Sequence, residues 1–223
     1  MAEDRAKRIL EKLEETFTMP RWITSTRDPF RTLIMTIISQ NTADKNTSKA
    51  FENLSNRFRI KPEALAKAEA GQIQECLKVA GLYRNKAKAI QQVSRIILDQ
   101  FHGNLDQILS LPLEEARKTL LQLPGVGPKT ADVVLLFSAG KPTIPVDTHV
   151  YRVSKRLGFA PESGDHESVR NCLQRLYREK DYAAVHVMLI LHGRKYCKAR
   201  SPLCRECPVN ELCPSGHKWD NRD

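Results

Sequence analysis

Apolar residues recur along most of the chain at the three- and four-residue spacing of amphipathic helices. Near the N-terminus, Ile9, Leu10, Leu13 and Phe17 mark one face of a helix that ends near Pro20. Runs rich in Val, Ile or Thr with strict alternation are missing, so the pattern predicts an all-α protein without a significant sheet. The same spacing predicts further helices at about residues 44–57, 62–69, 71–78, 84–101, 113–121, 129–139, 148–157, 166–178 and 181–193.

A central buried helix is predicted behind Asp28 and Pro29. Asp28 is a suitable N-cap, and Pro29 then occupies the first helical position. The segment FRTLIMTIIS that follows is apolar almost all round, which is typical of a helix without a solvent face. The clearest interior break in the helical pattern is GKPTIP, residues 140–145, which we expect to be a crossing point between domains.

The composition indicates a basic globular protein with an anionic partner. Of the 223 residues, 41% are hydrophobic, which is enough for a sizeable core, and the net charge is +10. That excess favours nucleic acid over a membrane surface as the partner, although a solvated basic surface is an equally simple explanation of charge alone.

The N-terminal segment MAEDRAKRILEKLEETF carries charges throughout and has no apolar signal core. No run approaches the roughly 20 apolar residues of a membrane helix, so we expect an intracellular protein of the cytoplasm or nucleoid. Structural disulfides are rare in that compartment, and the six cysteines need another explanation. Cys76 and Cys172 lie within helical patterns, where a small buried hydrophobe is expected.

The other four cysteines predict a metal site. Cys197, Cys204, Cys207 and Cys213 have the spacing C-x6-C-x2-C-x5-C. Four thiolates suit zinc or an iron–sulfur cluster. Zinc sites usually have two close cysteine pairs, whereas this spacing contains one, so the pattern favours an iron–sulfur cluster and leaves zinc open.

The segment LPGVGPKTA, residues 123–131, lies between two predicted helices. Gly125 and Gly127 allow a tight bend and can expose backbone N–H groups to a phosphate. Such a helix–hairpin–helix turn suits a sequence-independent grip on a DNA backbone, and an ordinary turn between helices explains the glycines equally well.

Lys129 lies in the first turn of the helix that begins at Pro128. The positive end of the helix dipole disfavours an ammonium there, and a partly buried position would lower the lysine pKa further. This placement favours an amine nucleophile, with a charged, phosphate-binding lysine as the alternative.

Asp147, in PVDTHVYRV, is best explained on its own as the N-cap of the following helix. His149, His186 and His192 are expected to be hydrogen-bonded interior histidines rather than bases.

LPGVGPKTA, VDTH and the cysteine spacing occur in this order and together closely resemble the endonuclease III family, the iron–sulfur branch of the helix–hairpin–helix DNA glycosylases. The resemblance covers about residues 8–213. It implies a six-helix barrel at about residues 23–136, with the helix–hairpin–helix at about 111–139. It also implies a cluster domain of residues 1–22 and 137–213, followed by a polar tail, residues 214–223.

The resemblance assigns the chemistry to Lys129 as catalytic lysine and Asp147 as catalytic aspartate. Cys197, Cys204, Cys207 and Cys213 fall on the ligands of a [4Fe–4S] cluster. The implied partner is double-stranded DNA with damaged bases or abasic sites, bound by a monomer.

Further residues are implied to contact DNA. Leu82, in AGLYRNKA, matches the leucine that such enzymes insert into the base stack. Asn41, in SQNTAD, falls where the family has a glutamine that fills the gap left by the flipped nucleotide, and the adjacent Gln40 is the other candidate for that position. The hairpin glycines and several cations complete the expected contacts: Gly125, Gly127, Arg84, Lys86, Lys88, Lys198 and Arg200.

The implied activity is removal of damaged, oxidised pyrimidines through a Schiff base on Lys129, followed by β-elimination that cuts 3′ to the abasic site. Three alternatives remain at this point. A monofunctional glycosylase of the same superfamily generally lacks the hairpin lysine. A non-catalytic DNA-binding module would bind without nicking, and a zinc-stapled helical adaptor would bind no iron.

Overall fold

The computed structural model describes residues 2–20 and 28–216, and all regular secondary structure in those residues is helical. The chain divides into a central unit, residues 24–141, and a terminal unit, residues 1–23 and 142–223. None of the described helices is long and apolar enough to cross a membrane.

The helices are numbered along the chain: α1 (Ala2–Thr16), α2 (Pro29–Ser39), α3 (Asp44–Arg57), α4 (Pro62–Lys67), α5 (Ala70–Leu77), α6 (Tyr83–Phe101), α7 (Asp106–Leu109), α8 (Leu113–Leu121), α9 (Pro128–Ala139), α10 (Thr148–Arg156), α11 (His166–Leu176) and α12 (Tyr182–Lys195). Short 3₁₀ turns lie at Lys78–Ala80, Glu179–Asp181 and Asn210–Leu212.

The central unit, α2 to α9, is built around the predicted apolar helix. The carboxylate of Asp28 accepts the Arg31 N–H at 3.1 Å and caps α2, with Pro29 at its first position. Leu33, Ile34 and other side chains of α2 are fully buried in one continuous core with residues from the other central helices. Burial of each such side chain contributes about 1.5–3 kcal/mol, which explains why α2 lies inside the unit.

A buried ion pair joins the two helices that flank the hairpin. Arg117 of α8 donates to both carboxylate oxygens of Asp132 of α9, at 2.8 and 3.3 Å. Both side chains are at most 10% exposed. Because an unpaired charge would be costly there, the pair fixes how α8 and α9 meet around the hairpin.

The terminal unit ties the N-terminal helix to the second half of the chain. Ile9 and Leu13 of α1 are buried, and the hydroxyl of Tyr177 donates to the carbonyl of Ala6 at 3.0 Å. Arg5 donates to the carbonyls of Leu157 and Leu212. The residues that open the sequence therefore belong structurally to the part that contains the four cysteines.

The helical pattern predicted most boundaries well. Helices α3 and α8 have the predicted bounds, whereas α1 ends at Thr16, before the expected stop near Pro20. The pattern missed α7, because a helix of four residues is too short to show a period. Most of the predicted polar tail, residues 217–223, lies outside the described residues.

Candidate functional site

The hairpin between α8 and α9 depends on Gly125. Its φ of +76° is in the left-handed region, and an added Cβ would lie 2.7 Å from the Cβ of Ala89. The N–H of Val126 donates to the carbonyl of Leu123 at 3.1 Å and closes the turn. Conformation and close packing therefore both require glycine at residue 125.

Gly127 has a different role. Its φ of −95° and ψ of 178° are extended backbone that any residue adopts, and a Cβ there would meet nothing within 4 Å. The expectation that both glycines serve the bend is therefore correct only for Gly125. Because Gly127 has no side chain, the space in front of the backbone at the start of α9 is open.

Lys129 lies where the sequence predicts it, in the first turn of α9 directly behind Pro128. The side chain is half-buried, and the adjacent Thr130 is fully buried. Lys129 therefore extends from a part of α9 that is anchored in the core, at the positive end of the helix dipole.

Gln40 connects the end of α2 to the hairpin. Its side-chain amide donates to the carbonyl of Gly125 at 2.8 Å and lies 3.2 Å from the hydroxyl of Thr130. These contacts hold the residues on both sides of Gly127 from within the central unit. Whether Gln40 also contacts DNA stays a prediction.

Asn41 and Leu82 are both exposed and both left-handed. Asn41 has a φ of 51° and Leu82 a φ of 46°, and the Leu82 side chain is 59% exposed. Left-handed backbone costs a leucine about 1–2 kcal/mol, and an exposed leucine gains little from burial in return. Such strain on an exposed apolar residue is typical of a functional contact.

Asp147 caps α10 in the terminal unit. Its Oδ1 accepts the N–H groups of His149 at 2.8 Å and Val150 at 2.7 Å, as the sequence predicts. The cap uses a single carboxylate oxygen, and the residue is half-buried. Capping and a second task for the carboxylate are therefore compatible.

His149, next to Asp147, is half-buried, and its Nδ1 lies 3.1 Å from the guanidinium of Arg152. Burial, as the main cause, lowers the pKa of His149. The expected interior role for His149 agrees with these contacts.

The four clustered cysteines line one cavity of the terminal unit, whose empty volume is about 360 Å³ including its open mouth. Helix α10 shapes the loop after the first of them, because Arg152 donates to the carbonyl of Cys197 at 3.0 Å and Arg156 to that of Lys198 at 2.6 Å. Lys198 and Arg200 project from this loop and are exposed.

The chemistry of this cavity fits an iron–sulfur cluster. Burial first, and the neighbouring thiols after it, raise the pKa of Cys207 to about 11, so thiolates here need a bound cation. Cysteines spaced around a cavity suit a larger, multi-iron group.

Both parts of the chain match models of known protein families. Residues 34–179 match the family model described as HhH-GPD superfamily base excision DNA repair protein. Residues 197–213 match the model of the iron-sulfur binding domain of endonuclease III. Endonuclease III of Thermotoga maritima is 38% identical over 96% of this chain and 92% of its own length. This chain belongs to the endonuclease III family.

Further relatives agree over nearly the full length. Endonuclease III of Escherichia coli K12 is 36% identical, with 97% of this chain and 99% of the relative covered. A trapped endonuclease III–DNA covalent intermediate has a TM-score of 0.85 and 33% identity, covering 97% of both chains. A non-covalent endonuclease III–DNA complex has a TM-score of 0.86 and 32% identity, covering 99% of both.

Membership of the endonuclease III family settles the fold and the class of reaction. The protein has the helix–hairpin–helix DNA glycosylase fold, binds DNA, and is a base excision DNA glycosylase and AP lyase with a [4Fe–4S] cluster. The alternatives of a monofunctional glycosylase, a non-catalytic DNA-binding module and a zinc-stapled adaptor are therefore wrong.

One predicted DNA contact of this endonuclease III family member is wrong. Lys86 is 4% exposed, and its ammonium is directed into the central unit, so it is not a phosphate contact. Arg84 and Lys88 are exposed, as phosphate contacts need to be. Cys76 is buried, as predicted, whereas Cys172 is half-buried.

Sequence reasoning also missed Arg152 and Arg156, which hold the loop after Cys197. Both face inward from a helix whose polar residues look solvated in the sequence. Their four-residue spacing, which places them on one face of α10, is the signal that could have identified them.

Proposed function

We propose that this endonuclease III family member acts as a monomer on double-stranded DNA, removes damaged and chiefly oxidised pyrimidines, and then cuts 3′ to the abasic site. The observation that carries the proposal is the position of Lys129. It is half-buried in the first turn of α9, beside open backbone at Gly127. A covalent DNA intermediate of an endonuclease III has been trapped, which is the product expected of an amine nucleophile.

The backbone of the DNA binds first to the hairpin. The N–H groups around Gly125 and Gly127 donate to a phosphate, which approaches through the space that a side chain at residue 127 would occupy. Exposed cations add sequence-independent attraction on each unit, Arg84 on the central unit and Lys198 and Arg200 on the terminal unit.

The damaged nucleotide is then flipped out of the duplex, at a cost of a few kcal/mol. Leu82 enters the base stack, and Asn41 fills the space opposite. The exposure and left-handed backbone of both residues support this assignment. Gln40 is the alternative partner for the opposite base. Its amide already donates to the carbonyl of Gly125 in the hairpin, so Asn41 is the stronger candidate.

Lys129 carries the chemistry. The lone pair of its Nζ attacks C1′ of the sugar, and the bond to the base breaks with its electron pair leaving on the base, which takes up a proton. The sugar ring opens as O4′ gains the proton that Nζ loses, which leaves an iminium. That positive charge acidifies C2′, and loss of the C2′ proton forms a C2′–C3′ double bond and expels the 3′ phosphate.

Asp147 supplies the negative charge that this sequence of steps needs. With Oδ1 fixed by the α10 cap, the carboxylate stays oriented while it stabilises the positive charge that develops on the sugar and assists deprotonation of Lys129. Its orientation by backbone N–H groups is preorganised, so no rearrangement is needed at the moment of reaction.

Cys197, Cys204, Cys207 and Cys213 hold the [4Fe–4S] cluster. When bound, the cluster would provide a rigid cross-link between these four cysteines. Together with Arg152 and Arg156 it keeps the loop containing Lys198 and Arg200 in shape for the DNA.

Borohydride trapping on abasic duplex DNA tests the proposal. Lys129→Ala should give no trapped complex, whereas Lys67→Ala, at an exposed lysine on the surface of α4, should trap like wild type. DNA retardation should persist in both variants. Undiminished trapping by Lys129→Ala would remove Lys129 from the mechanism.

A panel of duplexes tests the substrate assignment. We expect faster release of thymine glycol and 5-hydroxycytosine than of uracil or mismatched thymine. Preference for uracil or mismatched thymine would overturn the oxidised-pyrimidine assignment and leave the lysine chemistry in place.

A further inference from the structure

Lys86 is a buried lysine whose three N–H donors all have acceptors. Its Nζ donates to the carbonyl of Ile38 and the carbonyl of Ala80, both at 2.8 Å, and to the hydroxyl of Thr42. An ammonium has three donors and no acceptor, so this set satisfies it completely.

The acceptors of Lys86 lie on two separate segments of the central unit, residues 38–42 and residue 80. Ile38 is in the last turn of α2, and Thr42 follows shortly after it in the loop that contains Asn41. Ala80 ends the 3₁₀ turn Lys78–Ala80, two residues before Leu82. The hydroxyl of Thr42 itself donates to the carbonyl of Ala80, so Lys86 and Thr42 join the two segments at a single point.

The buried charge of Lys86 has a role beyond filling space. Burial lowers the pKa of Lys86, because desolvation disfavours its charged form. An apolar side chain of similar length would fill the same space without that penalty. The ammonium adds directional hydrogen bonds, which hold three oxygens from the two segments in a fixed arrangement.

The segments that Lys86 joins each contain an exposed residue with left-handed backbone. Asn41 lies directly before Thr42, and Leu82 lies two residues after Ala80. Both have left-handed backbone, with φ of 51° and 46°. Residues in such conformations persist only where the surrounding structure holds them.

We propose that Lys86, through Thr42, is a positioning residue that holds Asn41 and Leu82 in one rigid arrangement, so that both enter the base stack together. Lys86 does not touch DNA. This inference rests on the proposed role of Leu82 and Asn41 in filling the space of the flipped nucleotide. In this proposal Lys86, on α6, affects base flipping and not phosphate binding.

Single-turnover kinetics on two duplexes test the inference. One duplex contains a paired oxidised pyrimidine, which must be flipped out, and the other contains an abasic site, where no base pair has to be broken. Lys86→Met should slow base release from the paired lesion roughly tenfold to a hundredfold, the scale on which a misplacement of about 1 Å acts. Cleavage of the abasic site should change at most about twofold, with the same DNA affinity.

Two substitutions of Thr42 form a matched pair that disturbs the central unit less than a substitution of Lys86. Thr42→Val removes the hydroxyl and keeps the shape, so it should show the same selective loss. Thr42→Ser keeps the hydroxyl and should behave like wild type. If Lys86→Met fails to fold, the Thr42 pair decides, and equal rates for Val and Ser overturn the proposal.

Leu82→Ala separates the inference from the proposed function. It should slow release of the paired lesion, and the double variant Leu82→Ala with Lys86→Met should lose less than the product of the single effects. A wild-type rate for Leu82→Ala would overturn the role of Leu82 itself. If Leu82→Ala slows base release and the double variant shows the full product of the two single effects, only the positioning role of Lys86 is overturned. An equal slowing of Lys86→Met on both duplexes would have the same consequence.

Discussion

The side-chain amide of Gln40 donates to the carbonyl of Gly125 at 2.8 Å, and this bond joins the end of α2 to the hairpin. The two residues are 85 positions apart in the sequence. The hairpin conformation is therefore stabilised by a side chain from another part of the central unit as well as by its own glycines.

Gln40→Ala should loosen the hairpin before any DNA is bound. The loss of one hydrogen bond should cost about 1 kcal/mol of stability. Amide hydrogen exchange of Val126, whose N–H closes the turn, should become faster in the DNA-free protein. Unchanged exchange together with weaker DNA binding would instead make Gln40 a direct DNA contact.

The two hairpin glycines should respond differently to alanine. Gly127→Ala meets no neighbour within 4 Å, so its melting temperature should stay near wild type while DNA affinity falls. Gly125→Ala combines a φ of +76° with a clash at Ala89, so it should lose roughly 1–3 kcal/mol of stability. Thermal unfolding and DNA titration at one fixed salt concentration measure both effects. Normal DNA affinity in Gly127→Ala would remove the phosphate contact from this position.

The loop after Cys197 should contribute to DNA binding mainly by charge. Arg200→Ala and Lys198→Ala should each reduce the slope of log affinity against log salt by about 1, the value for one lost phosphate contact. Lys67→Ala, on α4, is the control and should leave the slope unchanged. A normal slope in the loop variants would mean that these cations are only solvated.

Removal of a cluster ligand should be visible without any assay of activity. Cys207→Ala should lose iron and the visible absorption of the cluster, because no other side chain replaces the thiolate. Cys172→Ala, a half-buried cysteine of the same unit outside the cavity, should keep both. Full iron content in Cys207→Ala would contradict the ligand assignment.

The sequence predicted the parts of this protein that depend on local pattern. Asp28 and Asp147 are N-caps as expected, because capping is decided by residues two or three positions away. Lys129 in the first turn of α9 follows in the same way from Pro128.

The parts that the sequence did not predict depend on distant neighbours. The need for glycine at residue 125 comes from Ala89, on α6. Lys86 looked like a surface cation because lysines are rarely buried, and one of its acceptors, Ile38, is 48 residues away. No local pattern shows such a contact.

Asp147 allows its cap and its catalytic charge to be tested separately. Asparagine and serine both cap helices well, so Asp147→Asn and Asp147→Ser should unfold near the wild-type temperature. Both lack the negative charge and should slow base removal severely, while DNA still binds. Asp147→Ala should in addition lose about 1 kcal/mol of stability, because the N–H groups of His149 and Val150 lose their acceptor. Single-turnover base release and thermal unfolding of the three variants separate the two roles. If Asp147→Ser releases bases at the wild-type rate, Asp147 is a cap and not a catalytic group.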